Sequence, residues 1–183
     1  MGFRYEVRLS GEGGQGLVLA GKILAEAAAI YDDKNATQSQ SYGPEARGGA
    51  SRSEVIIADE EIDYPKATRL DLLLALTQEA CDKYVKDLLD DGILLVDAEA
   101  VERVPQGKFK VYRVPMVALA ERATGRGLVA NIVALGIITE LTNVVSRGAM
   151  EAAIRARVPK GTEELNLKAF QVGLEEGKKL KEQ

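Results

Sequence analysis

The sequence predicts an α/β protein: a three-layer α/β/α sandwich, Rossmann-like, around a mixed and mostly parallel sheet. Three observations lead there. A short strand-like run, Tyr5 to Leu9, enters a glycine-rich turn and leaves it as a long Ala- and Leu-rich helical run. Two continuous apolar stretches, Leu70–Leu76 and Ile93–Asp97, are separated by a helical segment, the pattern of parallel strands covered on both faces. From Pro115 onward the pattern is helical.

Each element follows from its residues. Tyr5–Leu9 reads as strand one. The segment from Gln15 to Ile30 is helix one, and Gly21, Ala25 and Ala28 give it a small-residue face for close packing on a sheet. Asn35–Gln40 alternates small and polar residues and reads as a weak strand two. Ser41–Gly49 is a loop punctuated by Gly-Pro and Gly-Gly. Ser51–Ala58 is a strand ending at Asp59. Gln78–Leu89 is a helix with Thr77 as N-cap and Gly92 as terminator. Lys108–Val114 is a more exposed strand. Helices follow over Val117–Ala123, Asn131–Val145, Ala149–Arg157 and Glu163–Lys181, the last amphipathic through Leu167, Phe170 and Leu174. No repeat or linker divides the chain, so one domain over 1–183 is expected.

Composition excludes several classes. The chain has 183 residues, enough for one proper core, and 24 basic against 28 acidic side chains. A net charge of −4 does not suit a nucleic-acid binder. The start, interrupted by Arg4, Glu6 and Arg8, has no signal pattern, and the longest nearly uncharged apolar run, Leu128–Thr139, is too short to span a bilayer. A cytoplasmic location is expected. There is no histidine, which removes every histidine-based triad, metal site or acid–base mechanism. The one cysteine, Cys81, excludes an internal disulfide and a four-cysteine cluster within this chain, and its context reads as a small buried hydrophobe.

The chemistry concentrates in two stretches. Gly11-Glu12-Gly13-Gly14-Gln15-Gly16 carries four glycines in six residues. Such a stretch allows a sharp turn and a close approach to the main chain, with the amides of the next helix open to an anion. Gly11, Gly13 and Gly16 fit the dinucleotide fingerprint. The acid expected at the end of strand two is missing, because that strand ends in Gln40-Ser41 while Asp32 and Asp33 precede it. Gly16–Lys22 matches a phosphate-loop spacing by coincidence: its interior, Leu-Val-Leu-Ala, is helical, and Ile23 replaces the hydroxyl residue. The second stretch, Ser41-Tyr42-Gly43-Pro44-Glu45-Ala46-Arg47-Gly48-Gly49, sets an arginine between a proline turn and two glycines. A guanidinium so placed suits a phosphate or carboxylate; an ion pair with Glu45 or Glu54 is the structural alternative. Asn131 opens an otherwise apolar helix, where capping is its plainest role. Both glycine-containing loops are expected at the same end of the sheet, through parallel pairing of strands one and two.

Together, Gly11–Gly16, the run Gln38-Ser39-Gln40-Ser41-Tyr42-Gly43-Pro44-Glu45-Ala46-Arg47-Gly48-Gly49 continuing to Val55, and Asn131-Ile132-Val133-Ala134-Leu135-Gly136 resemble the gamma subunit of the 2-oxoacid:ferredoxin oxidoreductases. The likeness runs from about Tyr5 to the last helix. The second stretch resembles the 2-oxoglutarate type more than the pyruvate or branched-chain types.

The resemblance implies an enzyme of anaerobic metabolism that decarboxylates a 2-oxoacid on thiamine diphosphate. It would reduce ferredoxin through iron–sulfur clusters and pass the acyl group to coenzyme A. It implies alpha, beta and delta partner subunits carrying the thiamine diphosphate and the clusters, with no catalytic residue or metal here. It places Gly11, Gly13, Gly14, Gln15, Gly16, Ser41, Tyr42, Gly43, Arg47, Gly48, Gly49 and Asn131 in or near a coenzyme A site. The competing implication is a structural subunit of a pyruvate, branched-chain 2-oxoacid or indolepyruvate oxidoreductase, with both loops serving as interfaces.

Overall fold

The computed structural model describes residues 2–42 and 50–183. Six strands form one sheet: β1 (Arg4–Glu12), β2 (Asn35–Tyr42), β3 (Ala50–Ala58), β4 (Leu70–Ala75), β5 (Leu88–Asp97) and β6 (Lys110–Val114). Their spatial order is β2-β3-β1-β4-β5-β6. The β1–β4, β4–β5 and β5–β6 pairs are parallel, whereas β3 is antiparallel to both β1 and β2. Strand two therefore does not pair with strand one as expected. Strand three turns back and lies between them. Because β3 reverses direction twice over, β1 and β2 still point the same way.

The helices are α1 (Leu17–Glu26), α2 (Gln78–Tyr84), α3 (Met116–Thr124), α4 (Ala130–Thr142), α5 (Arg147–Arg157) and α6 (Glu163–Lys181). One face of the sheet carries α1, α3, α4, α5 and α6 around a large core that includes Leu24, Ile132 and Phe170. Among the described residues, the other face carries α2 and the segments around Ala67 and Val101. The sandwich is three-layered but unequal. Helix α4 is buried all round, from Ala130 to Thr139, because α6, α3, α1 and α5 pack about it.

Where α4 meets α6, both helices present glycine. A Cβ on Gly136 would strike the Phe170 carbonyl, and one on Gly173 would strike the Val133 carbonyl. Backbone thus approaches backbone, and neither side can yield. Gly21 of α1 sits against the Ser53 side chain of β3, a close helix-on-sheet contact that its small-residue face led us to expect.

Several boundaries differ from the sequence reading. β1 runs through Gly11 to Glu12, so Gly11 is a strand residue opposite Ser51. Ser41 and Tyr42 belong to β2 rather than to the following loop, opposite Arg52 and Ser51. Helix one is α-helical only to Glu26, then widens into a π turn over Ala27–Tyr31. The helix expected to reach Leu89 stops at Tyr84, followed by a 3₁₀ turn, Val85–Asp87. Leu88 is instead a buried strand residue opposite Leu70, and Gly92 lies inside β5. A register shift between Leu70 and Leu72 absorbs the extra β5 residues. Thr77 does cap α2, its side chain accepting from Ala80 N at 3.2 Å. Cys81 is fully buried, and that burial, with Asp82 adding and Arg113 opposing, pushes its thiol pKa up. The reading of Cys81 as a small buried side chain holds.

Charge is also buried. Arg8 is 3 % exposed and donates to Glu54 Oε2 from both Nε (2.9 Å) and Nη2 (2.6 Å), and from Nη1 to Asp87 (2.6 Å). Its guanidinium also lies 5.0 Å from the Tyr84 ring centre. At the far end of the sheet, Asp71 accepts from Glu6 N at 2.8 Å. Burial raises its pKa; the Glu6 amide opposes this, and the Glu6 and Asp91 carboxylates add to it.

Two expectations follow. Gly173→Ala should lower stability in urea unfolding by about 1–3 kcal/mol, the cost of overpacking a site whose neighbours are backbone. For Asp71 the folded pKa lies above the unfolded one. Its stabilising contribution is therefore present below the ordinary aspartate pKa and is lost as pH rises through the raised value. Asp71→Asn keeps an acceptor for the Glu6 amide and removes the charge. Its melting temperature at pH 7 should exceed that of the parent, and the gap should close as pH falls and Asp71 protonates.

Candidate functional site

The carboxyl end of β1 carries the glycine turn. Gln15 closes it from within: Gln15 Oε1 accepts from Glu12 N at 2.8 Å, and a Cβ on Gly11 would collide with that same oxygen. Gly16 ends the turn in the left-handed region at φ 71° and serves as the N-cap of α1. Asn131, in the first turn of α4 and 5 % exposed, donates from Nδ2 to the Gly16 carbonyl at 2.9 Å. A side chain on Gly16 would strike Asn131 Nδ2. Asn131 Oδ1 accepts from Ile132 N at 2.9 Å. Asn131 is therefore a clamp on the glycine turn rather than the cap of its own helix, where Val129 takes the N-cap position.

The outer side of the turn is different. Glu12, Gly13 and Gly14 are exposed, and a Cβ on Gly13 or Gly14 would meet nothing within 4 Å. An open cleft of about 320 Å³ lies here, lined by Gly13, Gly14, Leu17, Val18 and Ser51 along with Glu12. It includes the first residues of α1, whose amides have no partner within the helix. One wall of the loop is tied down and the other is bare main chain. That arrangement suits a ligand that needs amide donors and close approach.

The structure brings Gly11, Gly13, Gly14, Gln15, Gly16 and Asn131 together. Strands β2 and β3 end and begin beside this cleft, since Tyr42 pairs with Ser51 and Ala50 with Glu12. The segment joining them therefore leaves from the glycine turn's end of the sheet. Gly43, Arg47, Gly48 and Gly49 lie outside the described residues, and so do the side chains of Ser41 and Tyr42. Glu54, the alternative partner considered for Arg47, is engaged by Arg8.

A second cavity, of about 240 Å³, opens from Gly14 and Gly16 toward α4 and the start of α6. The sequence reading missed the residues that give it polar character, Arg126, Thr162 and Asn166. Arg126 sits in Gly125-Arg126-Gly127, with a glycine after it as Arg47 has Gly48. The phosphate-loop spacing is ruled out, since Leu17–Lys22 lies within α1. The dinucleotide fingerprint also lacks its frame, because β3 separates β1 from β2. Among the described residues, no group of three or more acidic or cysteine side chains could hold a metal, and no helix is long and apolar enough to cross a membrane.

Comparison with known proteins assigns the chain. Residues 6–176 match the family model described as pyruvate ferredoxin/flavodoxin oxidoreductase. The chain belongs to this family. Within the oxidoreductase family it is 53 % identical to 2-oxoglutarate synthase subunit KorC of Methanocaldococcus jannaschii, over 97 % of this chain and 96 % of that protein. A solved gamma subunit of a keto/oxoacid ferredoxin oxidoreductase from Geobacter sulfurreducens superposes with a TM-score of 0.86 at 56 % identity, covering 94 % of this chain and 98 % of that one. The 2-oxoglutarate:ferredoxin oxidoreductase of Magnetococcus marinus, solved with 2-oxoglutarate, coenzyme A and succinyl-CoA bound, gives a TM-score of 0.84 at 22 % identity. It is covered over 31 % of its chain, against 96 % of this one. At that identity the likeness is one of fold. The α/β class and the resemblance read from the two glycine stretches are both borne out.

The clamp makes a stability prediction. Gly16→Ala forces a side chain into the left-handed region and displaces Asn131, so it should cost about 2 kcal/mol or more by urea unfolding. Gly13→Ala, in open space, should stay within about 0.5 kcal/mol of the parent.

Proposed function

We infer that this chain, as one domain over 1–183, is the gamma subunit of a multi-subunit 2-oxoglutarate:ferredoxin oxidoreductase, which oxidatively decarboxylates the 2-oxoacid to its acyl-CoA. End-to-end identity with the KorC subunit carries this reading, because the match covers nearly all of both chains. Thiamine diphosphate and the iron–sulfur clusters would reside on the alpha, beta and delta partners, and ferredoxin would be reached through the assembled complex. One cysteine and no histidine leave this chain no ligand set for a cluster. Its contribution would be to coenzyme A and to assembly.

The glycine turn supports the coenzyme A role. The bare amides of Gly13 and Gly14 and the first turn of α1 favour phosphate oxygens, while Gln15 and Asn131 hold the turn in place from behind. Catalysis in this chain is then positioning: it holds one end of a long substrate while a partner performs the chemistry. Arg47, Gly48 and Gly49 join the site on sequence grounds.

The purified chain alone should give no turnover with 2-oxoglutarate, coenzyme A and a viologen dye, and activity that follows this polypeptide would sink the subunit reading. In the reconstituted complex, Gly13→Leu puts bulk into the open cleft and should raise KM for coenzyme A with KM for 2-oxoglutarate unchanged. Arg47→Ala should raise KM for coenzyme A by about ten- to a hundredfold. If these variants instead prevent assembly, seen by size-exclusion chromatography, the loops are interface elements and the structural alternative stands.

A further inference from the structure

At the far edge of the sheet, β6 pairs with β5 alone among the described strands. Ala98 N donates to the Val114 carbonyl at 3.0 Å, so the main-chain groups of Val114 face β5. Successive residues of a strand turn their N–H and C=O to opposite sides. Tyr112 therefore also faces β5, while Val111 and Arg113 face outward. No main-chain bond satisfies those outward groups among the described residues.

A cavity of about 310 Å³ runs along this edge. The consecutive residues Val111–Val114 all line it. Alternate side chains of a strand point to opposite faces, so a space touched by all of them lies beside the strand and not above one face. Its other wall is the C-terminal end of α6, at Glu176 and Leu180. The cavity beside Asn131 meets α6 at its start, which puts the edge groove roughly 20 Å along the helix from it.

The edge is basic in an acidic chain. From Arg103 to Ala120 the sequence carries Arg103, Lys108, Lys110 and Arg113 and no acidic residue, against a net charge of −4 for the whole. Lys108, Lys110 and Arg113 are exposed and form no ion pair among the described residues. Glu176, across the groove, is held by Lys179 at 3.3 Å. Val111 adds an exposed apolar side chain.

An open strand edge is a template for another strand, and cations along it keep like chains apart. A second copy of β6 would set these cations against one another, which is destabilising. An acidic strand meets them with opposite charge, and its main chain satisfies Val111 and Arg113. We propose that the open edge of β6 accepts an extended acidic segment of a partner subunit as an added outer strand, seated in the groove beside the end of α6. The inference rests on the subunit reading above and names an assembly surface apart from the glycine turn.

The test compares the chain alone with the reconstituted complex by amide hydrogen exchange resolved to single residues. The amides of Val111 and Arg113 should exchange freely in the isolated chain and become protected in the complex, while that of Tyr112 is protected in both. Val111→Pro removes only an outward-facing donor and leaves the β5–β6 ladder intact, so the isolated variant should melt with the parent. It should bind the remaining subunits about three- to tenfold more weakly. Lys110→Glu combined with Arg113→Glu, at exposed positions, should weaken that binding about tenfold, with the deficit shrinking as salt rises. The complex that either variant still forms should keep the parent's KM for coenzyme A. Free exchange at Val111 and Arg113 in the assembled complex overturns the edge assignment, and so does parent-like binding by both variants. A dimer of the isolated chain that Val111→Pro dissolves assigns the edge to a second copy and equally overturns it. Those results leave the subunit reading standing, because the complex still forms. A parent chain that joins no complex removes that reading and this one with it.

Discussion

The hydrogen bond from Asn131 to the Gly16 carbonyl joins residues 115 positions apart, and the geometry of the site depends on it. A turn with four glycines has little conformational preference of its own, and each glycine gives up more backbone freedom on folding than any other residue would. Something outside the turn has to hold it. Helix α4 is suited to that task because it is buried from Ala130 to Thr139 and meets α6 with glycine against glycine. The clamp is thus anchored in a helix that is buried on all sides. A buried hydrogen bond is worth only about 1 kcal/mol net, but leaving the Asn131 amide without a partner would cost about 1–3 kcal/mol. The penalty for opening, more than the bond's own strength, keeps the turn closed.

A second constraint sets the strand that bounds the cleft. Arg8 and Glu54 are direct partners in the β1–β3 register. A one-residue slip of β3 would carry Glu54 to the other face and leave Arg8 buried without its main counter-ion. Burying both charges contributes little to net stability, since desolvation offsets most of the attraction. Breaking the pair is what costs: about 3–5 kcal/mol for an uncompensated buried charge. The network therefore selects a register rather than strengthening the sheet. That register puts Ser51 opposite Gly11, at the edge of the open cleft.

These two constraints explain what could and could not be read from sequence. Leu70–Leu76 and Ile93–Asp97 were legible because continuous apolar runs bounded by polar residues have few solutions. The glycine turn was legible because four glycines cannot be core. The boundary at Leu88 was not: Leu88-Leu89-Asp90-Asp91-Gly92 fits a helix ending as well as a strand entering, and only the pairing of Leu88 with Leu70 decides it. The reversal of β3 was hidden for the same reason, since Val55-Ile56-Ile57 reads alike in either direction. Asn131 was visible as a residue, but capping is a local role and its actual partner is long-range. Asn166 gave no signal, lying on a helix whose pattern is otherwise ordinary, and its acceptor exists only because Thr162 occupies the other half of the amide.

The two cavities beside the turn differ in what each can discriminate. Main-chain amides such as those of Gly13 and Gly14 suit charge and close approach, so any phosphate chain would satisfy them. They cannot distinguish one nucleotide from another. A slot with an oriented acceptor could, because a ligand group that mismatched Asn166 Oδ1 would leave one oxygen facing another with no bond in return. The two lie side by side, with Gly14 and Gly16 on the rim of the slot and Gly14 also in the cleft, so one loop borders both. A clamp that fixes Gly16 therefore sets the distance between them. This gives a physical reason for holding the turn from Asn131 instead of from a residue nearer in sequence: Asn131 lines the slot itself, so loop position and slot shape are set by the same side chain.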